Sequence, residues 1–151
     1  MTEPAVFSDD ETVTIAVAGP PVPKGRPRFS RKAGIAYTPA KTRKYEDVVR
    51  LAAGQAMENQ APFQGPLAVE VEVYLPVPTS WSKKKQGRAH LGLVVPTKRP
   101  DANNFASCAL DGCNGIVYRD DSQVVELHVT KRYAMKPQLI IRVRQIRAEA
   151  A

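Results

Sequence analysis

The residues with the greatest capacity for chemistry in this chain are carboxylates standing on basic ground. Asp101 follows Lys98-Arg99-Pro100, and Asp120-Asp121 arrive after a short helix-like segment and a few extended residues. Other acids are dispersed or alternate along a strand. Breaking a phosphodiester requires an activated water and relief of the charge that builds on phosphorus. Divalent ions held by a few carboxylates supply both. Magnesium prefers hard oxygen donors, so an acid cluster between cationic stretches is the arrangement to seek. Each acid has a plainer role too. Asp101 suits the cap of a helix, and Asp120-Asp121 suit a turn. His90 and His128 have no partner at metal-ligand spacing, Ser107 has no neighbouring His, and no Gly-rich phosphate loop is present.

The cationic ground is unevenly laid out. The 151 residues carry a net charge of +7. Between Thr12 and Tyr45 there are eight Lys or Arg and no acid, and between Val73 and Pro100 six more, again without an acid. Fourteen of the 22 basic residues therefore lie in two acid-free stretches. Such stretches suit a polyanion, because each neutralised phosphate releases condensed counterions. Lys24, Arg26, Arg28, Lys83, Lys84 and Lys85 are the expected phosphate contacts. Trp81, in the second stretch, could stack on an exposed base; packing a loop onto the core is its commoner use.

These groups need a scaffold. The length suits one domain with an ordinary core, placed at residues 11–147 behind an acidic tail, residues 1–10. That tail has no basic region leading an apolar run, so a secretory signal is not expected. No apolar run approaches a membrane span. Cys108 and Cys113 are spaced for neither a disulfide framework nor a zinc knuckle, which suits a reducing, cytoplasmic setting. Val13, Ile15 and Val17 alternate as in a strand. Gly19 to Pro23 breaks regular structure, and Lys24–Tyr37 reads as an extended arm or hairpin. A helix is expected from Thr38-Pro39, burying Tyr45, Val48, Val49, Ala52 and Ala56. Leu67–Leu75 reads as a half-buried strand and Pro76–Pro100 as a long irregular loop. A second helix should run from Asp101 to about Cys113, stopped by Gly112–Gly115. Extended segments are expected at Ile116–Tyr118, Gln123–Lys131 and Leu139–Val143. The fold class is mixed α/β, with helices packed against one mixed sheet.

The motif residues resemble a known family. Lys98-Arg99-Pro100-Asp101-Ala102-Asn103-Asn104, Ala109-Leu110-Asp111-Gly112 and Asn114-Gly115-Ile116-Val117-Tyr118-Arg119-Asp120-Asp121-Ser122-Gln123-Val124 are similar to the RusA family of Holliday-junction resolvases, as are Pro21–Phe29 and Tyr37-Thr38-Pro39. The resemblance implies a homodimer that binds branched DNA in the cytoplasm, at the nucleoid. It implies paired nicks made with Mg²⁺ or Mn²⁺. It places Asp101 and Asp121 on the metal with Asp120 assisting, and puts Asn103 in a ligand position. Two positions depart from the family pattern. Asn103 stands where the family has a second Asp, and Ser107 where it has a Lys. Three explanations stay open: a variant that still cuts, a junction binder without catalysis, or an introduced inactivating change. A general nucleic-acid-coating protein is the remaining alternative; it leaves Asp120–Gln123 without a purpose.

Overall fold

Strands form where branched residues alternate with polar ones. The computed structural model describes residues 12–26 and 28–151. The tail expected over residues 1–10 and the side chain of Arg28 lie outside the described residues. Strand β1 spans Thr12–Ala18, β4 Leu67–Pro76, β5 Val124–Ala134 and β6 Gln138–Gln145. They make one mixed sheet in the order β1-β6-β4-β5. β6 is antiparallel to both β1 and β4, while β5 runs parallel to β4. The register lines up apolar rows across the sheet. Val13, Val143, Val69 and Leu127 form the first row, and Ile15, Ile141, Val71 and Val129 the second. The third runs Val17, Leu139, Val73 and then Lys131, a cation where the pattern asks for an apolar side chain.

Two helices cover these rows. Helix α1 (Ala40–Met57) buries Thr42, Tyr45, Val49, Ala53 and Met57. Val48, expected in the core, is 49% exposed, because the buried stripe runs one residue further round the helix. After β4 the chain forms α2 (Lys83–His90), a helix inside the segment expected to be an irregular loop. The Ser82 hydroxyl accepts the Lys85 backbone N–H and caps it, overcoming the mutual repulsion of three lysines in its first turn. Helix α3 (Ala102–Cys113) buries Phe105, Ala109 and Cys113 on one stripe, as the sequence predicts. It ends at Asn114 and Gly115, whose φ of +79° suits glycine. α1 and α3 touch where α3 has no side chain: a Cβ on Gly112 would stand 2.5 Å from Val49 Cγ1.

The arm after β1 contains a small hairpin, β2 (Arg28–Ser30) with β3 (Ile35–Tyr37). Ile116–Tyr118 is no strand; Tyr118 is fully buried and makes only isolated bridges to Phe63 and Asn114. On the sheet's other face Arg142 Nη1 meets Glu72 Oε1 at 2.6 Å and Arg144 Nη2 meets Glu70 Oε1 at 3.1 Å. Burial alone would push the Glu72 carboxyl up, but hydrogen bonds from Tyr74 and Arg142 hold it below the ordinary range. Cys108 and Cys113 are free and buried, their thiols pushed up to about 12 by burial. Among the described residues no helix is long and apolar enough to cross a membrane.

Candidate nuclease site

Asp101 occupies the cap position of α3, with extended backbone, yet its side chain makes no capping hydrogen bond. The carboxylate is exposed. The backbone that leads into it is held by Lys131. The ammonium at the end of the third apolar row reaches across and donates to the carbonyls of Lys98 at 3.1 Å and Pro100 at 2.9 Å. Those carbonyls belong to the segment leading directly into Asp101, whose Arg99–Pro100 peptide is cis. Sequence reading passed over Lys131. The signal was present: a lysine in phase with Leu127 and Val129 on a strand that otherwise points apolar side chains inward. Asn103 follows in the first turn of α3 and is exposed; Ser107, four residues on, is partly covered.

Asp120 and Asp121 sit in a different kind of support. Asp120 caps a short 3-10 turn over Asp121–Gln123, and its carboxylate accepts the Ser122 N–H at 3.3 Å. Hydrogen bonding from Ser122 holds that exposed carboxyl below the ordinary range. The Gln123 amide closes the box. Its Oε1 accepts the N–H groups of Arg119 and Asp120 at 3.0 and 3.2 Å. Its Nε2 donates to the carbonyls of Phe63 and Gly65, both at 3.0 Å. Asp120 thus serves the turn itself, and Asp121 is the carboxylate the turn presents.

The expected meeting of Asp101 with Asp121 does not occur within one chain. Asp101 precedes α3 and Asp121 follows it, and the 12 residues of the helix rise about 18 Å. β5 then runs back alongside, and from Val124 to Lys131 it climbs roughly 23 Å. Asp101 is tied to the Lys131 end and Asp121 stands just before the other. Ligands on one magnesium ion lie only about 2.0–2.1 Å from it. Among the described residues no three His, Cys, Asp or Glu side chains gather as an ion would require. Asp101, Asn103 and Asp121 of a single chain therefore do not fit a shared metal.

A second charged group lies along α3. Lys24 donates its backbone N–H to Asn104 O at 2.9 Å, and its ammonium pairs with Asp111 Oδ2. That pairing raises the Lys24 ammonium above its ordinary value. Burial, then the Asp111 charge, pushes the nearby Glu46 carboxyl up. Gly25 N–H is taken by the buried Thr42 hydroxyl at 2.9 Å, so the arm is pinned between α1 and α3. Of the expected phosphate contacts, Lys24 is thus engaged within the protein, whereas Arg26, Lys83, Lys84 and Lys85 are exposed. Lys85 Nζ also lies 4.0 Å over the ring of Trp81, which packs edge-on against Tyr133 at 5.3 Å. Trp81 is a packing residue that fastens α2 to β5, rather than a free platform for a base.

Comparison with known proteins agrees with the motif residues. Residues 18–144 match the family described as Endodeoxyribonuclease RusA. A relative from Bacillus subtilis (strain 168), the uncharacterized protein YqaN, is 37% identical over 142 residues, covering 91% of this chain and 99% of that protein. The match takes in β1's last residue, both acid-bearing segments and nearly all of β6, so the chain belongs to the RusA endodeoxyribonuclease family.

Proposed function

We propose that this protein binds four-way DNA junctions as a homodimer and resolves them by paired, metal-dependent nicks, Mg²⁺ or Mn²⁺ being the ion. The observation that carries this reading is the family match across residues 18–144, which spans both acid-bearing segments. In this reading the exposed cations hold phosphate and the acids stand at the cut. The first turn of α2 supports the former role. Lys83, Lys84 and Lys85 crowd a helix N-terminus that has no acid in its first turn, and backbone N–H groups there add to the attraction for a phosphate. Phosphate contacts position a protein without reading bases, which suits selection of a shape. Raising salt should weaken binding steeply.

A second reading is favoured by Asn103 and Ser107: a junction-binding protein without useful cleavage. An amide in place of a carboxylate keeps the shape but removes a charge, and Ser107 offers no cation for the developing negative charge. Cleavage of a labelled four-way junction in Mg²⁺ and in Mn²⁺, beside an Asn103→Asp variant, separates the two. Symmetric nicks by the chain as it stands support the resolvase. Nicks by Asn103→Asp alone support a disabled enzyme. Selective binding with no nicks from either supports the binding reading. Equal affinity for linear duplex and junction refutes both.

A further inference from the structure

Between β4 and Asp101 the chain makes a detour whose tip holds three apolar side chains out in water. We propose that this tip, Leu91–Val95, is the element that senses a branch point: Leu91 and Leu93 press against bases left unstacked where duplex arms meet, while the cations around them hold phosphate. The inference rests on the junction reading above for its ligand, and it assigns the residues that tell a junction from a linear duplex.

The tip is fixed in place. α2 ends in a closed turn, in which Gly92 N–H donates to Ala89 O at 3.1 Å and Leu93 N–H to Arg88 O at 2.9 Å. This pairing ends many helices at a left-handed glycine, and Gly92 has φ of +77°. Such a turn commonly lays the residue after the glycine back onto the helix. Here Leu93 stays 64% exposed, with Leu91 at 77% and Val95 at 51%. Buried residues fasten both sides, Ala89 before the tip and Pro96 after it. The helix behind is held by Trp81, which packs edge-on against Tyr133 and carries Lys85 Nζ over its ring at 4.0 Å. Single exposed apolar residues are ordinary. Three on one fixed turn form a patch of the kind that marks an interaction site.

The surroundings choose the occupant. Every charged side chain from Lys83 to Arg99 is a cation, and all of them are exposed. An apolar surface among cations fits a ligand with flat apolar faces in a frame of negative charge, which describes bases between phosphates. The position agrees. Leu91, Val94 and Val95 line a groove with Lys131 and Tyr133 at the end of β5, and Lys131 holds the backbone that leads into Asp101. The tip therefore stands at the end of the molecule where the first acid emerges. An apolar wedge in a continuous duplex must prise apart a stacked step. At a branch point the stack is already interrupted, so the same contact favours the branched form without reading sequence.

The test follows 2-aminopurine, whose fluorescence rises on loss of stacking, placed at the branch point of a synthetic four-way junction. Full-length protein is added without divalent ions, so that no strand is cut. A Leu91→Ser/Leu93→Ser chain is compared with Leu91→Met/Leu93→Met, which keeps the apolar bulk, and with Lys83→Gln/Lys84→Gln. Circular dichroism and thermal melts confirm that each is folded. Parent and methionine chains should raise the fluorescence at the branch point and leave it unchanged for a probe within an arm. The serine chain should lose that rise and bind the junction about tenfold more weakly, the loss expected when two leucines are no longer partly withdrawn from water. Its affinity for linear duplex should stay as in the parent. The lysine variant should weaken on both ligands alike. Equal weakening of the serine chain on junction and duplex overturns the proposal. So does a change in its sedimenting mass, which would assign the tip to contact with a second copy. A serine chain that selects and opens the junction as well as its parent defeats the tip's role alone and leaves the patch to an acidic protein partner. A parent chain that binds junction and duplex alike defeats the function proposed above, and the tip's role with it.

Discussion

Replacing Gly112 by alanine tests whether α3 is held by its closest approach to α1. The added methyl would stand 2.5 Å from Val49 Cγ1, 2.7 Å from Val49 Cβ and 3.3 Å from the Glu46 carbonyl oxygen. Carbon atoms rest at about 3.5–4.0 Å, so the overlap is roughly 1 Å. Val49 cannot step aside: it is fully buried, and a valine in a helix has one strongly preferred rotamer. Overpacking of this kind costs about 1–3 kcal/mol, while alanine in a helix interior recovers about 0.5–1 kcal/mol over glycine. The expected net loss is about 1–2 kcal/mol, or some 2–8 °C in Tm for a chain of this size. Val49→Ala alone should cost about 2 kcal/mol through the cavity it leaves. In the double variant the 2.5 Å overlap with Cγ1 is gone while the 2.7 Å approach to the Cβ of residue 49 remains, so relief is partial and the combined loss should fall short of the sum by roughly 0.5–1 kcal/mol. Urea unfolding of the four proteins gives the cycle. A Gly112→Ala protein as stable as its parent, with an additive double variant, would refute the close contact.

Two other perturbations follow from the same geometry. Lys131→Met removes two charge-assisted hydrogen bonds, worth together about 1.5–3 kcal/mol after solvent competition; Tm should fall by roughly 5 °C, amide exchange near Lys98–Asp101 should quicken, and Lys131→Arg should restore part of each. Unchanged exchange in that segment would show that Asp101 is placed by something else. Glu46→Gln should stabilise the protein at pH 7. The folded carboxyl titrates above its unfolded value, through burial and then Asp111, so its ionised form costs stability at neutral pH. That cost fades as pH drops through the folded value and is gone below the unfolded one. Melts at pH 7 and pH 4 should therefore differ in the gain, and a gain independent of pH would contradict the assignment.

Much of the fold was legible because its strands and main helices follow simple periods. β1, β4 and β6 alternate cleanly, and the α3 stripe of Phe105, Ala109 and Cys113 lies where spacing puts it. α2 was not legible, since Lys83-Lys84-Lys85 gives no apolar face; a serine cap and the Trp81–Tyr133 packing make it a helix. Ile116–Tyr118 misled because three apolar residues in a row suit a buried turn as well as a strand. The acids themselves could be named from their motif, and so could the two departures, Asn103 and Ser107. Their separation could not. A chain that leaves Asp101, climbs a helix and returns by Asp121 reads as a short loop in one dimension, yet the helix length sets how far apart its ends stand.

The ladder of Glu70, Glu72, Arg142 and Arg144 on the uncovered sheet face has a consequence for approach rather than stability. It cancels charge locally, so that face contributes little to the +7 net charge. The uncompensated cations of the arm, of α1 and of α2 are left to set the molecule's electric asymmetry. A polyanion in dilute salt would then turn the protein before touching it, and association should be fast, oriented and progressively blunted as ions are added.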